Sequence, residues 1–210
     1  MTRIGRSLGM LLFLCGVASA KLGDPTVRAV CRVKLASGQS IVMMRGRLSE
    51  SEAKRLLARH ARDILLAIKN LNGARLAPFV HPSKGVRLGG LVFTRDQIRN
   101  IFSNKRRYLW GYEDGSANPI RLTARQYVKR WVYNRDFLRV KEIGYNKIIL
   151  GGDVTTDIPE AYPGATAVTY YFPGPYSDTP GFGWQSLCLI FEHKNRTWYL
   201  TGVVTFVQTI

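Results

Sequence analysis

The chain is short of the residues that most often carry chemistry. Its 210 residues include 3 Cys and 3 His. His60, His81 and His193 are far apart, and no Cys or His falls at the spacing of a metal site. The sequence therefore predicts no metal. There is no G-x-S-x-G elbow of a serine hydrolase. Gly89-Gly90 and Gly151-Gly152 lack the Lys-Ser/Thr of a phosphate loop, and no cofactor motif is present. No apolar run approaches the roughly twenty residues that span a bilayer. Internal repeats and low-complexity linkers are missing, which favours a single domain. Acids are scarce too: 14 Asp and Glu stand against 31 Lys and Arg, a formal charge of +17.

What is present begins with a leader. Arg3 and Arg6 precede an apolar run of about ten residues, Leu8 to Val17, and Ala18-Ser19-Ala20 fits a small-x-small cleavage site. Residues 1–20 read as a signal peptide, so an exported, periplasmic or secreted location is expected. A lipoprotein reading would use Cys15, but Leu14 stands where a small residue is needed. Removing Arg3 and Arg6 leaves 29 basic against 14 acidic residues, +15. Such a charge favours nucleic acid, lipid headgroups or acidic glycans as partners, unless it is spread evenly over a solvated surface. It is clustered at Lys54-Arg55-Arg59-Arg62, at Lys105-Arg106-Arg107 and from Arg135 to Lys141. Lys105, Arg106 and Arg107 are the candidates for anionic-surface binding. Losing the leader also leaves Cys31 and Cys188, an even pair in an oxidising compartment and a candidate disulfide. The alternative is two separate buried thiols.

Residues 21–48 read as an N-terminal arm or hairpin, with Val27–Leu35 and Ser40–Met44 around Ser37-Gly38. Three capping boxes follow: Ser49/Glu52, Thr94/Gln97 and Thr123/Gln126. The first opens a long helix with Ala53, Leu56, Leu57, His60, Ala61, Ile64, Leu65, Ile68 and Leu71 on one face, which Gly73 is expected to close. Residues 76–88 read as a loop, 95–102 as a short helix, 104–118 as irregular and 124–133 as a helix. Strands are expected at 143–150 and 165–172. Trp184 to Ile210 reads as a strong hairpin turning at Lys194-Asn195. The order predicts an α+β fold over 49–210, with N-terminal helices packed on a curved antiparallel sheet.

The strings LAPFVHPSKGVRL, WGYEDGSANPIRLTARQYVKRWVYNRDF, EIGYNKIIL and YYFPGPYSDTPGFGWQSLCLIFEHKNRTWYLTGVV resemble a family of uncharacterised bacterial exported proteins and lipoproteins. The resemblance covers most of 65–210. It implies the α+β cone shared by nuclear transport factor 2, ketosteroid isomerase and scytalone dehydratase. It implies no reaction. Family members tend to carry a His and acidic or Trp residues near the end, where this chain has Thr205, Phe206, Val207 and Gln208.

An isomerase of the cone type needs a carboxylate base and a hydrogen-bond donor for the oxyanion. The acids on offer are Asp114, Asp136, Asp153, Asp157 and Glu192; the donors are Tyr127, Tyr145, Tyr170 and Tyr171. Asp114 lies in a turn composition, and Glu192 and His193 adjoin the hairpin turn and should be solvated. No spacing brings an Asp to a His, as a dehydratase would need. The many aromatics, interleaved with Arg and Lys, suit either a filled core or a platform for a glycan or single-stranded nucleic acid. The leading expectation is a non-enzymatic domain of the cell envelope that binds a ligand or protein, with a pocket lined by Trp110, Tyr127, Trp131, Tyr170 and Trp184. The alternatives are an isomerase- or dehydratase-type enzyme and a basic binder of anionic polymers or membrane surfaces.

Overall fold

A computed structural model describes residues 32–35, 38–46, 48–113, 116–152, 154–174 and 183–207. The leader, Cys31, Asp114, Asp153 and Gln208 lie outside them. Arg32–Lys34 (β1) and Gln39–Met43 (β2) pair antiparallel around Gly38, whose φ of 78° only glycine adopts readily. Glu50–Lys69 forms helix α1, and both halves of its capping box are made. Its end departs from expectation. Leu71, at φ 51°, is the left-handed residue, with Leu71 N–H bonded to Ile68 O and Asn72 N–H to Ala67 O, a Schellman closure. Gly73 instead begins α2 (Gly73–Leu76), where a Cβ would lie 2.2 Å from Ile98 O. Glycine is needed there for close approach rather than for capping.

The stretch read as a loop holds a 3₁₀ turn, Ala77–Phe79, and strand β3 (Val86–Leu88). Gly89 and Gly90, both at positive φ, turn the chain into β4 (Leu91–Phe93). Helix α3 (Arg95–Asn100) carries the second capping box as read. The region expected to be irregular contributes β5 (Arg107–Tyr112), which pairs with β6 (Pro119–Thr123). A third capping box opens α4 (Ala124–Tyr127), continued by a π-helical turn, Val128–Val132. The single strand expected at 143–150 is two, β7 (Glu142–Tyr145) and β8 (Lys147–Gly151), broken at Asn146 with φ 53°. Helix α5 (Ile158–Ala161) and strands β9 (Thr166–Phe172), β10 (Gln185–Lys194) and β11 (Thr197–Val207) complete the chain. The last hairpin turns on Asn195-Arg196, both at positive φ, one residue later than read.

The architecture is α+β with open sheets. A six-stranded sheet runs β4-β3-β11-β10-β9-β7, a three-stranded sheet β1-β2-β8, and β5-β6 stand as a separate ribbon. The break at Asn146 sends β7 to the larger sheet and β8 to the smaller. Most pairs are antiparallel, but β11 and β3 run parallel. Two cores result. On one face of the large sheet, Leu187, Leu189, Phe191, Val168 and Tyr170 pack with Leu57, Ala61, Ile64 and Leu65 of α1. On the other, Cys188, Ile190, Ala167 and Tyr171 pack with Val42, Ile148 and Leu150 of the smaller sheet. The middle strands β9 and β10 are thus covered on both sides. That explains their nearly unbroken burial in an antiparallel sheet, where one wet face is the usual pattern.

Candidate functional site

The five aromatics expected to share a pocket do not line one. Trp110 and Tyr127 stack against each other, and Trp110 Nε1 donates to Leu122 O at 2.8 Å. Tyr170 belongs to the core under α1, whereas Trp184 lies on the opposite face of the sheet against Tyr171. Trp131 joins neither core; its ring carries the Arg130 guanidinium 5.1 Å from the centroid. The space beneath α1 is filled. Its enclosed void is about 10 Å³, lined by Ile68, Leu88, Val128 and other apolar groups, too small for any ligand.

The catalytic arrangements fare similarly. Asp136 does meet a tyrosine, but one not among the expected donors: Tyr133 Oη donates to Asp136 Oδ1 at 2.8 Å. That bond, with Lys69 Nζ at 3.2 Å, holds the Asp136 carboxyl below its usual range. A base near neutrality needs the opposite shift. His81 is a turn element: its Nδ1 accepts from the backbone N–H groups of Ser83 and Lys84 at 3.3 and 2.9 Å. Glu192 is less solvated than read, because Lys84 Nζ pairs with its carboxylate. With His193, Trp198, Leu48, Leu56, Pro163 and Gly164 it lines an open groove of about 590 Å³. His193 leans on Trp198, their centroids 5.1 Å apart.

The basic cluster is better organised. Lys105, Arg106 and Arg107 are all exposed at the start of β5. Arg106 lies over Tyr108, 5.3 Å from its centroid. Arg107 donates to Arg121 O through Nε and Nη2 at 3.1 and 2.6 Å, which fixes the guanidinium across the ribbon. Arg125 is fixed likewise on Phe102 O at 3.0 Å. From Arg99 to Lys141 there are eleven Lys and Arg against Glu113, Asp114 and Asp136. Among the described residues only Arg130 and Arg139 of these eleven form ion pairs, with Glu113 at 3.8 Å and Asp136 at 3.5 Å. Arg121 and Arg125 were missed by sequence reading, because nothing local reveals that they join residues 14 and 23 positions away.

Cys188 is fully buried, with Sγ 3.4 Å from Thr169 Oγ1, and forms no disulfide among the described residues; its expected partner Cys31 lies outside them. No family model, no curated protein and no solved structure matches the chain.

Proposed function

We propose that the chain is an exported, non-enzymatic binding domain of the bacterial cell envelope, and that its partner is anionic. The observation that carries this reading is the cation excess of Arg99 to Lys141, a stretch that includes the β5-β6 ribbon and the helix after it. Guanidiniums fixed by backbone carbonyls lose little freedom on binding, so they favour affinity. The leader-like residues 1–20 support export. Helix α1 lying across one face of the large sheet supports kinship with the cone folds, although here the interior is filled and binding falls to the surface. The test is binding of the full chain to heparin and to vesicles containing phosphatidylglycerol as salt is raised. Affinity that falls steeply with salt is expected, and salt-insensitive or absent binding to both would reject the reading.

A second reading, a small ligand in the groove beside Glu192 and Trp198, is favoured by its volume and mixed lining. It predicts that Trp198→Ala abolishes ligand-induced quenching of tryptophan fluorescence.

A further inference from the structure

The β5-β6 ribbon carries a bulge whose consequence reaches function. Leu109 pairs with Arg121 and Tyr112 with Pro119, so Trp110 and Gly111 together stand opposite Ile120 alone. Directly opposed residues share a face of a ribbon, and successive residues change face. One extra residue on β5 therefore reverses its alternation. Tyr108 and Trp110 point inward with Ile120 and Leu122, all four packed on the core under α1. Without the bulge Tyr112 would join them. With it, Tyr112 turns outward beside Pro119 and Arg121, and Arg107 lies on that same face opposite Thr123. Exposure agrees with this assignment: Tyr112 is 64% exposed, and Arg107 and Arg121 are exposed as well. Gly111, at φ 146°, supplies the backbone that the bulge requires.

The outward face thus presents an exposed aromatic ring at one end, with Arg121 next to it and beyond that Arg107, whose guanidinium is anchored on Arg121 O. We propose that single-stranded nucleic acid lies along this face, with a base stacked on Tyr112 and backbone phosphates held by Arg107 and Arg121. The proposal rests on the anionic-partner reading and narrows it. Two features favour this partner over a sulfated glycan or a lipid surface. The basic positions are Arg rather than Lys, and the planar fork matches phosphate oxygens. An exposed ring beside them offers stacking, which charge-only partners do not use and for which a duplex leaves no base face free.

The test is fluorescence anisotropy of the full chain with a labelled oligothymidylate, a duplex of the same length, and heparin as competitor. Tyr112→Ala should weaken oligothymidylate binding at least about fivefold, the low end for one stacked base. It should leave heparin binding unchanged, and Tyr112→Phe should bind as the parent does. Arg107→Ala combined with Arg121→Ala should weaken both ligands and reduce the salt slope for oligothymidylate by about 1.4, or about 0.7 per phosphate lost. Tyr112 is exposed, so circular dichroism of Tyr112→Ala should match the parent. Equal oligothymidylate affinity for Tyr112→Ala and the parent, or a duplex bound as tightly as the single strand, would overturn the proposal. If heparin or anionic vesicles still bind in a salt-dependent way, the broader anionic-partner reading stands. If nothing anionic binds, both fall.

Discussion

Trp110 and Tyr127 stack face to face, with ring centroids 3.9 Å apart and planes 6° from parallel. This contact ties the β5-β6 ribbon to the helix that follows it. Gly89 closes over the pair: a Cβ there would lie 2.5 Å from Tyr127 Oη and 2.8 Å from the Trp110 ring. Among the described residues the ribbon pairs with no other strand, so the contacts of its inner face with the core help to hold it in place. Aromatic pairing contributes about 0.5–1.5 kcal/mol beyond the area buried. Tyr127→Leu should therefore cost about 1 kcal/mol in urea unfolding and speed amide exchange in β5 and β6. Exchange no faster than in the parent would mean that the ribbon is held by something else.

Gly46 lies against three oxygens. A Cβ there would stand 2.6 Å from Ala165 O, 2.6 Å from Thr166 Oγ1 and 2.9 Å from Asn146 Oδ1. The first is backbone and cannot swing away. Gly46→Ala should cost about 1–3 kcal/mol by overpacking. Gly164 is the contrast: it has φ 76° with nothing within 4 Å of a Cβ. Gly164→Ala should cost only the left-handed penalty of about 1–2 kcal/mol. Chemical denaturation of both variants separates steric cost from backbone strain, and strain alone would leave Gly46→Ala close to the parent.

Burial holds His81 below the usual histidine range, with Lys194, Lys84 and Arg95 adding to the effect and Glu192 opposing it. Its Nδ1 also accepts backbone N–H groups, a role that suits the neutral ring. The sign follows. A depressed value means the fold prefers neutral His81, so its stability is present above about pH 6.5, the unfolded value, and is lost as pH falls below it. The urea midpoint should drop between pH 7.5 and 5 in the parent. In His81→Asn, whose side-chain oxygen can accept the same N–H groups, it should drop less. Parallel curves for the two proteins would show that other groups set the acid sensitivity.

Burial pushes the Cys188 thiol up to about 12, with Thr169 opposing only in part. A thiolate is the reactive form. Cys188 should therefore resist iodoacetamide at pH 8 in the native chain and react once the chain is unfolded. A raised value also means that Cys188 stabilises the fold below about pH 8.5 and loses that contribution as pH climbs toward 12. Mass spectrometry in denaturant, with and without reductant, decides the pairing with Cys31. A two-hydrogen gain on reduction would establish the bond, and alkylation without reductant would exclude it. Modification of Cys188 in the native chain would overturn its burial.

Much of the fold is legible in the sequence where the signal is local. Ser49, Thr94 and Thr123 each sit three residues before a Glu or Gln, and each caps a helix in the structure because capping is a matter of adjacent backbone N–H groups. The alternation of β10 and β11 likewise needs only neighbours. Where the sequence misleads, distant contacts decide. Gly73 resembles a helix cap but answers to Ile98 O, 25 residues later. Residues 143–150 resemble one strand, since the left-handed turn at Asn146 leaves little mark in a run of β-formers. Residues 107–112 look irregular because Arg107 and the bulge at Gly111 interrupt the hydrophobic alternation.

The candidate site divides the same way. The charge at Lys105, Arg106 and Arg107 is visible in the residue letters, whereas its pairing with Arg121 and Tyr112 depends on register. The pocket of five aromatics fails for a related reason. Tyr170 and Tyr171 are neighbours in the chain, yet a strand sends them to opposite faces, and a second sheet covers the face that a cone would leave open. By itself the sequence determined the charge, the helix starts and the final hairpin, all of which depend on composition or on residues within one turn. Only the tertiary structure decided which side chains share a surface, because strand register and the stacking of sheets are settled by the burial of residues far apart in the chain.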